Sequence, residues 1–383
     1  MKQPMIIPGQ TIGILGGGQL GRMMALSARA MGYRIAVLDP GHDNPLSQVA
    51  DIAIQTAYDD PEGAERLADV SDVITYEFEN VDLAVARQLE AKDLLPQGSG
   101  LLAVTQDRVN EKKALSKAGV KIASYEVIQT QEQLEKALQI IGYPSVLKTA
   151  RGGYDGKGQL VIRRAEDMDQ ARALVDGTTV FVLEQWVPFQ KELSIMIARS
   201  TQGEIKTFPV VENIHIHNIL HQTIAPARIS ERVKSKAEQM ALEISESLNL
   251  VGMLGVEMFM TADEEVYVNE LAPRPHNSGH YTIEACETSQ FEQHIRAICG
   301  WPLGSTEQLK PATMLNLLGQ HMEAALTAIP QMANSHFHLY GKDEAKQNRK
   351  MGHITLLADT LDEALQRAEQ LKIWNQENVE VTK

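Results

Sequence analysis

The sequence predicts a mixed α/β and α+β protein of several lobes, and three observations carry that reading. Short β-branched runs alternate with helical patterns from Thr11 to Tyr76, the rhythm of a parallel sheet with crossover helices. The alternation returns on a smaller scale from Tyr125, around a glycine-rich turn. The 383 residues also give room for two or three domains at roughly 150 residues each. That is length enough to bury real cores without staples.

Thr11–Leu15 (TIGIL) reads as a strand, followed by a helix over Gln19–Met31 that opens on a glycine cluster. Tyr33–Leu38 is a second strand, and Ile52–Gln55 and Val73–Tyr76 continue the series. A boundary is expected near Gly98-Ser99-Gly100, before a helical pair around Leu102–Lys117. Beyond a strand from Tyr125 come a helix at Gln131–Ile141 and strands at Ser145–Thr149 and Gln159–Ile162. A helix at Glu166–Leu174, a strand at Val180–Leu183 and a long helix around Glu231–Leu248 follow. Strands at Gly255–Met260, Val266–Glu270, Thr313–Leu318, Phe337–Tyr340 and His353–Leu357 precede a last helix at Leu361–Leu371.

Composition removes several classes of function. With 36 Lys and Arg against 50 Asp and Glu, the net charge is −14. A polyanion-gripping domain carries a basic balance or stripe, so no nucleic-acid partner is expected. No apolar run approaches the ~18 residues of a membrane helix, and the start shows no signal-peptide pattern. Cys286 and Cys299 lack metal spacing and suit a reducing cytoplasm. The expectation is a cytoplasmic enzyme of small molecules, with no membrane partner.

Two glycine motifs stand out. Gly16–Gly21 (GGGQLG) fits G-x-G-x-x-G between a strand and a helix, and Asp39 stands where a ribose-binding acid would sit. The pattern suits a dinucleotide, another anion at a helix N-terminus, or simply close strand–helix packing. The second motif begins at Lys148, the end of a strand, and carries four glycines with Tyr154 and Lys157 before the next strand. Exposed N–H groups flanked by ammoniums suit a lid over a polyphosphate, the alternative being a mobile hairpin with solvated lysines. It is not a Walker A loop, because a strand rather than a helix follows.

Glu257 and Glu270 are a third signal. A turn centred between Asp263 and Glu264 would place them directly opposite each other on adjacent strands. At ~5 Å and an effective dielectric of ~20 they would repel by about 3 kcal/mol. A hard divalent cation binding both carboxylates and a triphosphate would compensate, as would a shared proton or pairing with Arg274. His215 and His217 share a strand face but lack the further ligands zinc needs.

Together these residues resemble the ATP-grasp superfamily. Lys148, the Gly153–Gly158 lid, Glu184-Gln185-Trp186-Val187, Glu192, Glu257 and Asn269-Glu270 carry the likeness. Gly16–Met23, Tyr76–Asn80 (YEFEN), Gly153–Gln159, Ala272–Cys286 (APRPHNSGHYTIEAC) and Gly352–Leu356 narrow it to the N5-carboxyaminoimidazole ribonucleotide synthetases of purine biosynthesis. The likeness spans essentially the whole chain. It implies a Rossmann-like pre-ATP-grasp domain at 1–104, a lid subdomain at 105–190, a metal and nucleotide subdomain at 191–310, and a small β-rich C-terminal lobe at 311–383.

The resemblance also implies roles. Arg108 and Lys148 would contact ATP phosphates, under a lid of Gly153, Tyr154, Asp155, Gly156, Lys157, Gly158 and Gln159. Glu184 would accept from the adenine amino group, Gln185, Trp186 and Val187 would border the ring, and Glu192 would hold the ribose. His215 and Asn269 would lie beside the nucleotide, with Glu257 and Glu270 as Mg²⁺ ligands. The superfamily's usual Asn two residues after the second glutamate is Ala272 here, which puts a third protein ligand in doubt. Gln19, Leu20, Glu77, Tyr154 and Lys157 would meet aminoimidazole ribonucleotide; Lys342, Arg349 and Lys350 would receive its phosphate. Arg274, His276 and Asn277 would serve bicarbonate and its activated form, and a homodimer is expected. The competing expectations are a sibling ATP-grasp ligase, a nicotinamide oxidoreductase and a non-catalytic nucleotide sensor.

Overall fold

The structure, a computed structural model, describes residues 4–153 and 158–374. Its N-terminal region is a four-stranded parallel sheet of order β3-β2-β1-β4. The strands are β1 (Thr11–Leu15), β2 (Arg34–Asp39), β3 (Ile52–Gln55) and β4 (Val73–Tyr76). Helices α1 (Gln19–Ala30), α2 (Pro61–Asp69) and α3 (Leu83–Glu90) connect and cover them. Buried Ile12, Ile14, Val37 and Val73 pack on one face, Leu15, Leu38 and Ile74 on the other. Runs without alternation are what a sheet buried on both faces requires.

Gly98-Ser99-Gly100, near which a boundary is expected, is helical. It forms the first turn of α4 (Gly98–Thr105), which leads into α5 (Arg108–Lys117). Gly98 opens that helix at φ +71°, so the glycine serves a change of chain direction rather than a linker. Asp107 caps α5, its carboxylate accepting from the amides of Val109 and Asn110.

A second, antiparallel sheet has order β5-β8-β6-β7. It contains β5 (Tyr125–Ile128), β6 (Ser145–Thr149), β7 (Gln159–Ile162) and β8 (Phe181–Gln185). Helices α6 (Gln131–Ile141) and α7 (Met168–Leu174) pack on it through Leu134, Leu138, Met168 and Ala171. The part of the glycine hairpin at 154–157, including Tyr154, Asp155, Gly156 and Lys157, lies outside the described residues.

The largest sheet runs β14-β13-β9-β11-β12-β15-β17-β16, with a short β10 (Ile205–Thr207) beside β9. Its members are β9 (Phe189–Arg199), β11 (Val211–Ile216), β12 (Ile219–Ala225), β13 (Gly252–Thr261), β14 (Val266–Ala272), β15 (Ala312–Leu318), β16 (Ser335–Leu339) and β17 (Lys350–Leu357). Helix α8 (Glu231–Ser247) packs Val233, Ala237, Met240 and Ile244 on the core beneath β9 and β13. The strands after residue 311 thus continue the same sheet through the β12–β15 ladder.

One local irregularity in this sheet decides the site. Near the β13–β14 turn Met258 pairs with Val268, but Glu257 pairs with Glu270, so Asn269 is an extra residue with no partner across the ladder. Such a bulge re-aims the strand. Without it, Glu257 would face Asn269.

Candidate active site

The site lies where the three sheets meet, and it is two cavities sharing a wall. A cavity of about 220 Å³ is bordered by Lys148, Glu184, Trp186, Val187, Phe189 and Phe259. A neighbouring one of about 440 Å³ is bordered by Gln19, Glu77, Arg274, His276, Asn277 and Lys350. Arg108, His215, Glu257 and Glu270 border both.

The smaller cavity combines an apolar slot with a cationic floor. Phe189 and Phe259 stack at 4.6 Å and 11°, and Trp186 tilts against Phe189 at 6.2 Å. Glu184 is buried, and its Oε2 lies 3.0 Å from Lys112 Nζ and 3.3 Å from Lys148 Nζ. Burial opposes its ionisation, but Lys148 and Lys112 hold the carboxyl down to about 2. Its Oε1 has no hydrogen-bond partner among the described residues, an orphan acceptor of the kind a ligand satisfies. Glu192 stands 3.1 Å from His215 Nδ1. Burial works against the His215 imidazolium, yet Glu192 raises its pKa.

Glu257 and Glu270 face each other in the ladder, as the turn arithmetic predicts, although the bulge at Asn269 supplies the final register step. Arg274 is not their counter-ion. His276 Nε2 lies 2.9 Å from Glu257 Oε1, and Arg108 lies 3.3 Å from Glu270 Oε2. Burial would raise the Glu257 pKa, but His276, His215 and Lys350 drive it well below the ordinary range. Two facing carboxylates, each with an oxygen left over from these contacts, suit magnesium, which takes one or two carboxylates and completes its shell with phosphate and water. No cluster of three or more acidic, His or Cys groups that could hold a metal occurs among the described residues, so the ligand pair does not extend to a protein cage. The His215–His217 alternative fails too, since His217 is at φ +50° in the turn between β11 and β12.

The larger cavity holds most of the remaining expected residues. Glu77 accepts from the amides of Gly18 and, at 2.8 Å, of Gly21. Arg274 is gripped by Glu79, with Nε–Oε2 at 2.7 Å and a second contact at 3.3 Å. Both amide atoms of Asn277 are buried without partners, which leaves them for a ligand. Leu20, Gly153 and Lys350 border this cavity; Gln159, Gln185 and Asn269 border the smaller one.

The three cations expected to receive the phosphate lie close together: burial lowers the pKa of Lys342 to about 8, and the charges of Arg349 and Lys350 beside it act in the same direction. Lys350 faces the larger cavity, but Lys342 donates to the Lys350 carbonyl at 2.7 Å and Arg349 to the Glu344 carbonyl at 3.0 Å. Neither of these two is among the described residues lining the two cavities, nor is Gly158, whose carbonyl accepts from the Thr149 amide.

The nicotinamide alternative is overturned by the donors themselves. Asp39 is consumed within its own loop, accepting from Gly17, Gly41, Asn44 and Tyr58. The amides of Gly18 and Gly21 serve Glu77, so the anion at the N-terminus of α1 is the protein's own.

The sequence reading missed Phe189 and Phe259 as slot walls, Glu79 as the partner of Arg274, and Glu111 and Lys112 on α5. The last two had a signal. Glu111 and Lys112 fall three and four residues after Arg108, one helix face carrying charge where a buried helix should be apolar.

A nucleotide-sized slot, a cationic floor and paired carboxylates at the seam of two cavities define an ATP-grasp enzyme. Residues 113–291 match the ATP-grasp domain family, residues 9–106 the ribonucleotide synthetase preATP-grasp domain, and residues 312–367 the phosphoribosylaminoimidazole carboxylase C-terminal domain. The chain is 52% identical over 366 residues to the N5-carboxyaminoimidazole ribonucleotide synthase of Bacillus subtilis, covering 96% of each. A solved N5-carboxyaminoimidazole ribonucleotide synthetase in complex with ADP superposes with TM-score 0.95 at 56% identity, over 98% of this chain and 99% of that one. An Aspergillus clavatus relative solved with ADP and 5-aminoimidazole ribonucleotide gives 0.90 at 32% identity, over 96% and 99%. The chain belongs to the N5-carboxyaminoimidazole ribonucleotide synthase family.

Proposed function

We propose that this enzyme carboxylates the exocyclic amine of 5-aminoimidazole ribonucleotide with bicarbonate at the expense of ATP, giving ADP and phosphate in purine biosynthesis. The observation that carries the reading is the shared wall. Among the described residues, the cavity for a nucleotide and the cavity for an acceptor share Arg108, His215, Glu257 and Glu270.

In this mechanism a bicarbonate oxygen attacks the γ-phosphorus of ATP, forming carboxyphosphate as the bond to ADP breaks. Glu257 and Glu270 would hold magnesium, which supplies charge neutralisation to the transferring phosphoryl group. Arg108 and Lys148 add fixed positive charge on the same side. Arg274, held by Glu79 but with N–H groups to spare, binds the carboxyphosphate together with His276. The amine nitrogen of the ribonucleotide then forms the new C–N bond, phosphate leaves, and the amine proton departs. Glu77, Gln19, Leu20 and Asn277 position the ribonucleotide, and Lys342, Arg349 and Lys350 receive its phosphate.

Glu184 reads adenine through its free Oε1, and Glu192 holds the ribose. We assign a cytoplasmic homodimer on the family likeness; Cys286 and Cys299 are free and buried. Burial pushes both thiols up to about 12, where they are inert.

The test is ADP release with MgATP in a CO₂-controlled buffer, with bicarbonate and aminoimidazole ribonucleotide each omitted in turn. Turnover that needs both is expected. Turnover indifferent to the ribonucleotide, but responsive to another carboxylate, would retain the ATP-grasp fold and overturn the substrate.

A further inference from the structure

Lys112 is fully buried on α5 and borders neither cavity. A lysine is rarely found in such a place without a carboxylate to pair with. Here its Nζ donates to two groups that border the nucleotide cavity from different strands. One is Glu184 Oε2 on β8, at 3.0 Å. The other is the main-chain carbonyl of Asn269, the bulge residue of β14, at 3.1 Å. The helix holds the next two residues of that strand as well. Arg108 meets Glu270 at 3.3 Å, and Glu111 Oε1 accepts from the Leu271 amide at 2.7 Å. Three consecutive residues of β14 are therefore fixed by three residues of one helix face.

We infer that Lys112 is a positioning residue that sets nucleotide specificity from behind the site. As the nearer of two ammoniums on Glu184 Oε2, at 3.0 Å against 3.3 Å for Lys148, it leaves Oε1 as the acceptor, and by holding the Asn269 carbonyl it keeps the bulge in which Glu270 comes opposite Glu257. One ammonium thereby ties the base-reading end of the cavity to the carboxylate end. The inference rests on the functional reading above for the identity of the nucleotide, and goes beyond it in assigning base discrimination to a residue that touches no substrate.

The test uses the full-length enzyme and variants Lys112→Met, Lys112→Arg and Lys112→Met/Glu184→Gln. ADP and GDP binding with Mg²⁺ are measured by calorimetry, and KM is measured for ATP and for aminoimidazole ribonucleotide. Lys112→Met should weaken ADP at least tenfold and narrow the ADP-to-GDP ratio about tenfold, with the ribonucleotide KM within twofold. The double variant should show the same ratio as Lys112→Met, because both substitutions act through one carboxylate. An unchanged ratio in Lys112→Met overturns the inference, and so does a further drop in the double variant. If Lys112→Met does not accumulate, Lys112→Arg decides, since its planar fork cannot reproduce both contacts of a compact ammonium in the same space. A parental ratio there overturns the inference. Failure of the functional reading would show separately, as parental enzyme that binds nucleotide but does not require the ribonucleotide for ADP release.

Discussion

Two regions of this molecule gather hydrogen-bond donors around a carboxylate, and they have opposite consequences. At the N-terminus of α1, the amides of Gly18 and Gly21 converge on Glu77, while Gly17 donates to Asp39. Both acceptors belong to the protein, so the amides of Gly17, Gly18 and Gly21 serve protein carboxylates rather than a pyrophosphate. Between α5 and β6, Lys112 and Lys148 converge on one oxygen of Glu184, and the other oxygen is left open. The first region spends its donors on building a wall of the acceptor cavity. The second keeps charge and acceptor capacity in reserve for a ligand. A motif therefore reports that donors are present; only the acceptors around it decide whether they are available.

The comparison breaks most readily at Lys148. Burial lowers its pKa, and Glu184 works to keep it charged. Lys148→Met should cut kcat/KM for ATP by about 10²–10³-fold, the usual cost of a donor to a charged transition state, with the N-terminal region's fold intact. Steady-state kinetics beside a thermal melt checks this. Arg274→Ala should cost a comparable factor in carboxylation, yet leave ADP binding within about twofold. Lost nucleotide binding in that variant would refute its placement on the acceptor side.

Glu77→Gln sharpens the comparison from the other side. Burial already raises the pKa of Glu77, against the two amides that favour its charge. The amide side chain keeps the shape but only one acceptor, so one of the Gly18 and Gly21 amides loses its partner and this wall of the acceptor cavity loosens. We expect the ribonucleotide KM to rise about tenfold, in line with roughly 1.4 kcal/mol for one charged hydrogen bond, and the ATP KM to hold. A change in ATP KM instead would mean that the glycine loop serves the nucleotide after all.

The parts of this arrangement that the sequence makes legible are those set by period and turn position. The alternation of strands and helices gives the parallel sheet, and the position of the β13–β14 turn brings Glu257 within one register step of Glu270, a step the bulge supplies. Long-range pairing is what period does not encode. Nothing local in Tyr76–Asn80 says that Glu77 will fold back on Gly18, nor that Glu79 will hold Arg274, 195 residues away. The bulge at Asn269 is equally silent, because its determinant is Lys112 on a helix far upstream. Charge on the buried face of α5 was the readable trace of that pairing.

The smallest effect concerns how the two regions are held together. His294, on a helix at Gln290–Ile298, accepts from the Met253 amide of β13 through Nδ1 at 3.1 Å. Its Nε2 lies 2.8 Å from the Thr75 hydroxyl of β4, which in turn donates to Gln97. One neutral imidazole thus bridges the parallel sheet to the central one. Burial lowers its pKa to about 3, and a second N–H at Nδ1 would face the Met253 amide. An unfolded histidine titrates near 6.5, so the unfolded chain binds the extra proton between those values. The stabilisation is complete above pH ~6.5 and is lost as pH falls toward 3, with about 2 kcal/mol gone at pH 5. Urea unfolding of the parent and His294→Asn at pH 7 and pH 5 measures it. The variant should be less stable at pH 7 and lose less on acidification than the parent. Equal losses in both proteins would assign the acid sensitivity to the other buried histidines, His280 and His353, whose pKa values burial also lowers.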